Sequence, residues 1–441
     1  MTERVYLHVG APKSGTTYLQ RVLEANRDTL TAAGVLVAGE THLQLVHAGM
    51  VVREDPRLDD LPPRARQSWA RLVEQVRGWH GPVAVVSYEL FAGASADQVA
   101  TALADLAGLE VHVVITARDF AQALPSAWQE RLKFALTTTL EDWSPRPEED
   151  GPRAEWGWRT MDPAGVAARW GRDLSAEHVH VVTVPRAADG PDELWHRFAA
   201  ACRLDVPGLD LRVERANESL GLVAAELLRR VNEQVTAPIT GNREQARWLR
   251  DTLAHGVLAG LDREPIGLTD AQFEDAVVRS EACIDTLRSS SYDLRGDLED
   301  LRAVRPEGRT PREVADAEVA ALAARALVGL LVLMRERTVE GEGSAPDAPA
   351  AAVPPSTARG RVKGIAKTLL QGSGARVLSR ENQRLQDRVA VLEQTLQERR
   401  RTQLRVAELT DLVTELLLPV SGRDEAAMRS ALEEYRKVSS S

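Results

Sequence analysis

Four stretches of the chain, residues 5–9, 83–87, 111–117 and 179–184, are rich in valine and lack the in-out alternation of a half-exposed strand. Continuous apolarity over such short lengths predicts strands covered on both faces. Helix-spaced apolar positions fill the intervals, at 18–33, 64–79, 96–106, 120–136, 166–174 and 192–202. Strands alternating with helices predict an α/β fold with a central parallel sheet linked by right-handed crossovers. From 220 onward the pattern is helical throughout, with segments at 220–235, 242–260, 270–287 and 313–337, which predicts a helical extension. Its most apolar part, 319–334, is interrupted by Arg325 and is shorter than the roughly 20 residues of a membrane span. A buried helix is the expectation there.

Patterning changes again after 340. Residues 341–358 combine Pro, Gly, Ala, Ser and Asp, the composition of a flexible linker. The sequence thus divides into a folded part at 1–340, the linker, and an appendage at 359–441. In 359–376 and its continuation to Arg380 there are six basic residues and no acidic one, with Val362, Ile365, Ala366, Leu369 and Leu370 on one helical face. Peripheral contact with an anionic membrane through 359–376 is one expectation for such a helix, and plain packing is the other. Leu378, Leu385 and Leu392 then recur every seven residues, with Asn382, Val389 and Leu396 between them. This predicts a C-terminal coiled-coil helix and self-association through 378–417, against the alternative of a single amphipathic helix.

The first strand runs directly into Gly10-Ala11-Pro12-Lys13-Ser14-Gly15-Thr16-Thr17, and a helix with Leu19, Val22 and Leu23 on one face follows. A strand, a glycine-bearing turn and a helix start aim several backbone N–H groups and a positive helix end at one point, where a phosphate binds. The hydroxyls of Ser14, Thr16 and Thr17 are expected to add donors, and Lys13 a cation. The chain has only five lysines among 55 basic residues. Lysine where arginine is the habit points to a task for a compact ammonium rather than a planar fork. The order of residues does not fit the ATPase loop G-x-x-x-x-G-K-[ST], because Lys13 precedes Gly15.

P-K-S-G-T-T after a strand resembles the 5'-phosphosulfate loop of bacterial sulfotransferases that use 3'-phosphoadenosine 5'-phosphosulfate, whose first strand has the form LHVGAPKSGTT. The resemblance covers roughly residues 1–235. It implies a P-loop-like three-layer fold, and it implies that Arg118, after the strand 111–117, and Ser126, eight residues on, hold the ribose 3'-phosphate. It further implies a cofactor loop of Pro12, Lys13, Ser14, Gly15, Thr16 and Thr17, and sulfuryl transfer to a hydroxyl or amine of a carbohydrate or small-molecule acceptor. Weaker matches are Val85-Val86-Ser87-Tyr88-Glu89, Trp128-Gln129-Glu130-Arg131 with Lys133, and Asn217-Glu218-Ser219-Leu220.

In-line transfer between two oxygens requires charge neutralisation on the leaving phosphate, the task of Lys13, and a base for the acceptor proton. No metal is expected for it. Glu89, following a strand end, is the first candidate base, and His47 and then His42 are the others. Residues 140–162, with Trp143, Trp156 and Trp158, are expected to form an acceptor-binding flap. The competing functions are a nucleotide kinase or NTPase, and a non-catalytic scaffold working through its coiled coil.

Charge narrows this further. The net charge of −10 argues against general nucleic-acid binding. Two cysteines, Cys202 and Cys283, make neither a disulfide framework nor a zinc motif, and no signal sequence is expected, so the expected location is the cytoplasm or the inner face of its membrane.

Overall fold

The computed structural model describes residues 2–145, 157–186, 189–190, 192–213 and 219–343. The chain divides into two units, Met1–Leu333 and Met334–Ser441. The expected linker, the basic segment and the heptads lie outside the described residues, as do Trp156, Asn217 and Glu218.

Six parallel strands form the sheet: β1 Arg4–His8, β2 Val35–Val37, β3 Val83–Ser87, β4 Glu110–Ala117, β5 Val179–Thr183 and β6 Asp293–Arg295. Their order is β2-β3-β1-β4-β5-β6, so the first strand is central, with β3 and β4 on its two sides. Val5, Leu7, Val113, Ile115, Val179 and Val181 face one apolar core, while Tyr6, Val85, Val114 and Val182 face another. Burial on both faces is why these strands show no alternation. Helices flank the sheet, and its carboxyl edge carries the turns after β1, β3 and β4 together, the place where open α/β sheets bind ligands.

The helices before β4 are α1 Thr16–Ala25, α2 Arg27–Ala32, α3 His42–Val52, α4 Pro63–Arg66, α5 Ser68–Arg77 and α6 Ala96–Ala104. Those after it are α7 Phe120–Leu132, α8 Trp158–Met161, α9 Pro163–Gly171, α10 Glu193–Ala201, α11 Leu222–Asn232, α12 Asn242–Gln245, α13 Asp270–Ser289 and α14 Asp316–Gly343.

Four local readings of the sequence need correction. The helix expected over 18–33 is broken at Asn26, whose Nδ2 donates to Val22 O and to Asp210 O, both at 2.8 Å, while Oδ1 accepts from Asp210 N at 2.7 Å. A side chain that bridges to a distant backbone competes with helix continuation. Within 242–260 the helix winds as a π-helix over Ala246–His255. The two edge strands, β2 and β6, were not expected. The fourth correction concerns α14: its apolar stretch is not a buried helix, since Leu327 and Val328 are 62% and 61% exposed. Asp316–Arg337 is 22 residues long and contains an 18-residue window of mean hydropathy 2.0, long and apolar enough to cross a membrane by length and composition alone.

At the amino edge of the sheet a row of polar side chains interrupts the core. Glu110 and His112 sit there on β4, His178 in the turn entering β5, His180 on β5 and Asp293 on β6. Burial pushes the His112 imidazole down to about 4, Glu110 only partly opposing it, and lowers His180 despite the hydrogen bond to Asp293.

Candidate functional site

The turn after β1 is built from three left-handed residues, Gly10, Lys13 and Gly15, with φ of 94°, 63° and 81°. The left-handed conformation costs an L-residue such as Lys13 about 1–2 kcal/mol, and cost of this kind concentrates where a backbone is held for a ligand. Gly15 ends the turn and precedes the first residue of α1, Thr16, so the α1 N-terminus opens over the concavity. Gly10 has a second reason to lack a side chain. A Cβ there would lie 2.8 Å from both the Cβ and the carbonyl oxygen of Glu89. Gly10→Ala is accordingly expected to destabilise the protein by about 1–3 kcal/mol, read as a lower urea midpoint, because the β3 turn must move. An unchanged midpoint would mean that the two turns are not packed as described.

Beneath the turn runs a buried polar network. The His8 imidazole lies 2.8 Å from Ser87 Oγ and 3.2 Å from Thr116 Oγ1, and Thr116 Oγ1 lies 2.6 Å from Ser14 Oγ. Ser14 Oγ donates to the Ala11 carbonyl. Burial holds the His8 imidazole far down, at about 3, so it is neutral. Side chains from β1, β3 and β4 thus anchor the turn from below. This corrects the expectation for Ser14, which is fully buried, so its hydroxyl is committed to the protein and only its backbone N–H remains for a ligand. Thr17, by contrast, is exposed.

Helix α7 follows β4 and supplies two faces to the site. Lys13 Nζ donates to Glu130 Oε1 at 2.9 Å, and Lys133 Nζ donates to the same oxygen at 2.8 Å. Burial alone would raise the Glu130 carboxyl, but the two ammoniums outweigh it and hold it at about 2. One carboxylate between two cations leaves a net positive charge at the turn. The Lys133 side chain is 1% exposed and that of Lys13 is 24% exposed, so Lys13 is the cation that solvent and a ligand can reach.

On the adjacent face of α7, Gln122, Pro125, Ser126 and Gln129 line a cavity of about 670 Å³ that Arg118 also lines. Arg118 Nη1 donates to Lys13 O at 3.1 Å, so this guanidinium joins the turn to the cavity. Burial pulls its pKa down, with Asp119 opposing. Asp119 Oδ1 in turn caps α7, accepting from Ala121 N at 2.7 Å and Gln122 N at 3.3 Å. A desolvated guanidinium bonded to a neutral carbonyl is a favourable place for an anion. The opposite wall comes from the helical extension, including Asp262, Arg263 and Glu264. Two of its carboxylates are already engaged: Asp262 accepts from Val223 N and Ala224 N, and Glu264 pairs with Arg309. The turn residues 10–17 do not themselves line this cavity.

Glu89 begins the turn after β3, and its Oε2 accepts from Gln20 Nε2 of α1 at 2.9 Å. With Gly10 against its backbone, it is tied to the start of the loop. His47 is half-buried on α3, where burial lowers its pKa. His42 is exposed, its ring 6.0 Å from Tyr88 and edge-on to it. The expected flap is not open at the two described tryptophans. Trp143 and Trp158 pack against the core, and Arg279 lies 4.0 Å over the Trp158 ring. The Glu130–Lys133 pair and the His8 network carried no motif that singled out their roles in the sequence.

A domain family of unknown function, DUF6752, matches residues 385–439, outside the described residues. No curated protein matches the chain. Among solved structures, a sulfotransferase from Alicyclobacillus acidocaldarius is similar at 16% identity and a TM-score of 0.34, over 48% of this chain and 87% of that one. The sulfotransferase domain from the curacin biosynthetic pathway is similar at 13% identity and a TM-score of 0.29, over 66% of this chain and 98% of that domain.

Proposed function

We propose that this chain is a sulfotransferase, moving a sulfuryl group from 3'-phosphoadenosine 5'-phosphosulfate to a hydroxyl or amine of a carbohydrate or small-molecule acceptor. The observation that carries the reading is the position of Arg118, bonded to the backbone of the lysine turn and lining one cavity with Ser126. That arrangement suits a ligand with two separate phosphates. The 5'-phosphosulfate would lie against the backbone N–H groups of residues 14–17 and the α1 N-terminus, and the ribose 3'-phosphate against Arg118 and Ser126.

The acceptor oxygen or nitrogen attacks sulfur while the bond from sulfur to the bridging phosphate oxygen breaks. Lys13 neutralises the charge that accumulates on the departing oxygen, and Glu130 sets the direction of its ammonium. The acceptor's proton passes to a base. Glu89 is favoured over His47 and His42, because its contacts with Gln20 and Gly10 fix it beside the turn. Adenosine 3',5'-bisphosphate leaves. Thr16 and Thr17 complete the cradle, and Ser14 contributes through its backbone alone.

Incubation of the full chain with sulfur-labelled donor and a panel of hydroxyl and amine acceptors tests this. Transfer of label to at least one acceptor class is the expected result. Failure to bind or turn over the donor, together with hydrolysis of ATP in the presence of magnesium, would replace the reading with an NTPase.

A further inference from the structure

The amino edge of the sheet, the end opposite the lysine turn, carries a second constellation. Glu110, His112 and His178 each present one ligand atom, and these three atoms lie within 4.8 Å of one another. His112 Nε2 is 2.8 Å from Glu110 Oε1, and the rings of His112 and His178 have centroids 4.3 Å apart. Behind them the row continues: His112 Nδ1 is 2.8 Å from His180 Nε2, and His180 Nδ1 is 2.6 Å from Asp293 Oδ2. In front, Glu110 and His178 line a cavity of about 400 Å³ walled by Leu103, Leu106, Leu109 and Leu174.

A count of protons shows what the row lacks. The three contacts Glu110···His112, His112···His180 and His180···Asp293 each require one N–H, because both ends of the row are carboxylate acceptors. An imidazole in its metal-ligating form carries one N–H, so the two rings together supply two. With His180 donating from Nδ1 to Asp293 and His112 donating from Nδ1 to His180, every group behind His112 is satisfied. His112 Nε2 is then a bare lone pair directed at Glu110, and two acceptors face each other with no cation between them.

We propose that Glu110, His112 and His178 form a binding site for a divalent transition-metal cation of the zinc class, distinct from the sulfuryl-transfer site. The cation stands where the third proton would have been. His112 then ligates through Nε2 and donates its other N–H to His180, which donates to Asp293, the outer-shell relay that orients metal-bound imidazoles. Two imidazoles and a carboxylate, with the cavity open beside them for water, are a donor set that zinc accepts. A tetrahedral site with ligand bonds near 2.0–2.1 Å places its donor atoms about 3.3 Å apart. Glu110 and His112 must open by about half an ångström to reach that separation. The exposed Glu110 and half-exposed His178 side chains are the ones able to turn, while His112 is held by its strand.

Arg4 gives the proposal an unusual handle. Its Nε donates to Glu110 Oε1 at 2.9 Å and its Nη2 to Oε2 at 3.4 Å, so a permanent cation shares the carboxylate. It opposes a second cation at that place, and its removal favours the metal.

The test uses the full chain, freed of metal by chelation and titrated with Zn²⁺ and with Co²⁺. A rise in melting temperature at one equivalent of Zn²⁺, with visible absorption of tetrahedral Co²⁺, is expected. His178→Ala and Glu110→Gln, both at accessible positions, should weaken binding at least about tenfold, Asp293→Asn should weaken it by about 10- to 100-fold, and Arg4→Gln should tighten it. A folded wild-type chain that neither binds either metal nor is stabilised by it overturns the proposal and leaves a shared proton in the row. Binding that survives in both His178→Ala and Glu110→Gln overturns it equally. Because the readouts are metal affinity and spectrum, they are independent of sulfuryl transfer.

Discussion

Replacing Lys13 by alanine is expected to lower kcat for sulfuryl transfer by about 100- to 1,000-fold, with a much smaller change in KM for the donor. Removing one preorganised donor from a developing oxyanion costs about that much in other active sites. The effect falls on kcat because the leaving oxygen gains its charge only as the bond to sulfur breaks, so Lys13 is worth most in the transition state. Stability should fall by about 1–2 kcal/mol, since Glu130 loses one of the two ammoniums that hold its charge. Glu130 keeps Lys133 as its partner at 2.8 Å, and the alanine occupies the same left-handed backbone position as the lysine did. Lys13→Arg should rescue little, since a planar fork does not place a compact charge at the position the ammonium takes beside Glu130. Steady-state kinetics beside a thermal melt decide the matter. Wild-type kcat in Lys13→Ala would remove this residue from the chemistry.

Glu130→Ala should have the largest effect on the fold, a loss of about 3–5 kcal/mol, because Lys13 and the buried Lys133 both lose the carboxylate they share. The pH dependence has a definite sign. Lys13 and Lys133 hold the Glu130 carboxyl at about 2 in the folded protein, against an ordinary value of 4.5. A depressed carboxyl stabilises fully above its unfolded value and ceases to do so as pH falls through the folded one. The difference corresponds to on the order of 3 kcal/mol, present above about pH 4.5 and lost between there and about pH 2. Urea midpoints of the wild type should drop across that window. Those of Glu130→Gln should start lower and slope less, and an identical slope would show that the carboxylate is not the titrating group.

The central sheet was legible because its inner strands are continuous valine-rich runs, a pattern that burial on both faces imposes. The edges were not. Val35–Val37 is three residues long, and Asp293–Arg295 is half-exposed and two-thirds charged, so neither offers the apolar run that marks a strand. For α14, periodicity located a helix from its apolar residues, but it records only composition and phase, not whether anything covers the face that Leu327, Val328 and Val332 present.

The site divides along similar lines. Gly10, Lys13, Gly15, Arg118 and Ser126 form local patterns whose spacing can be read directly. Ser14 shows the limit of such reading: a hydroxyl in the loop looks like a ligand donor until Thr116, about a hundred positions away, is found 2.6 Å beneath it. Glu130 and Lys133 were visible only as a weak motif, since nothing local shows that Lys13 reaches the same carboxylate oxygen. The histidine row left a faint trace, Glu110-Val111-His112 and His178-Val179-His180, two alternating pairs at the starts of strands. Alternation puts each pair on one face, but only strand adjacency makes the two pairs one cluster.

Calorimetric titration of the wild type with adenosine 3',5'-bisphosphate and with adenosine 5'-monophosphate tests the two-phosphate site most directly. The bisphosphate should bind about 10- to 100-fold tighter, the contribution of charge-assisted hydrogen bonds to one further phosphate, and Arg118→Ala should bring the ratio close to one. Equal affinities in the wild type, or a ratio that Arg118→Ala leaves intact, would contradict the account.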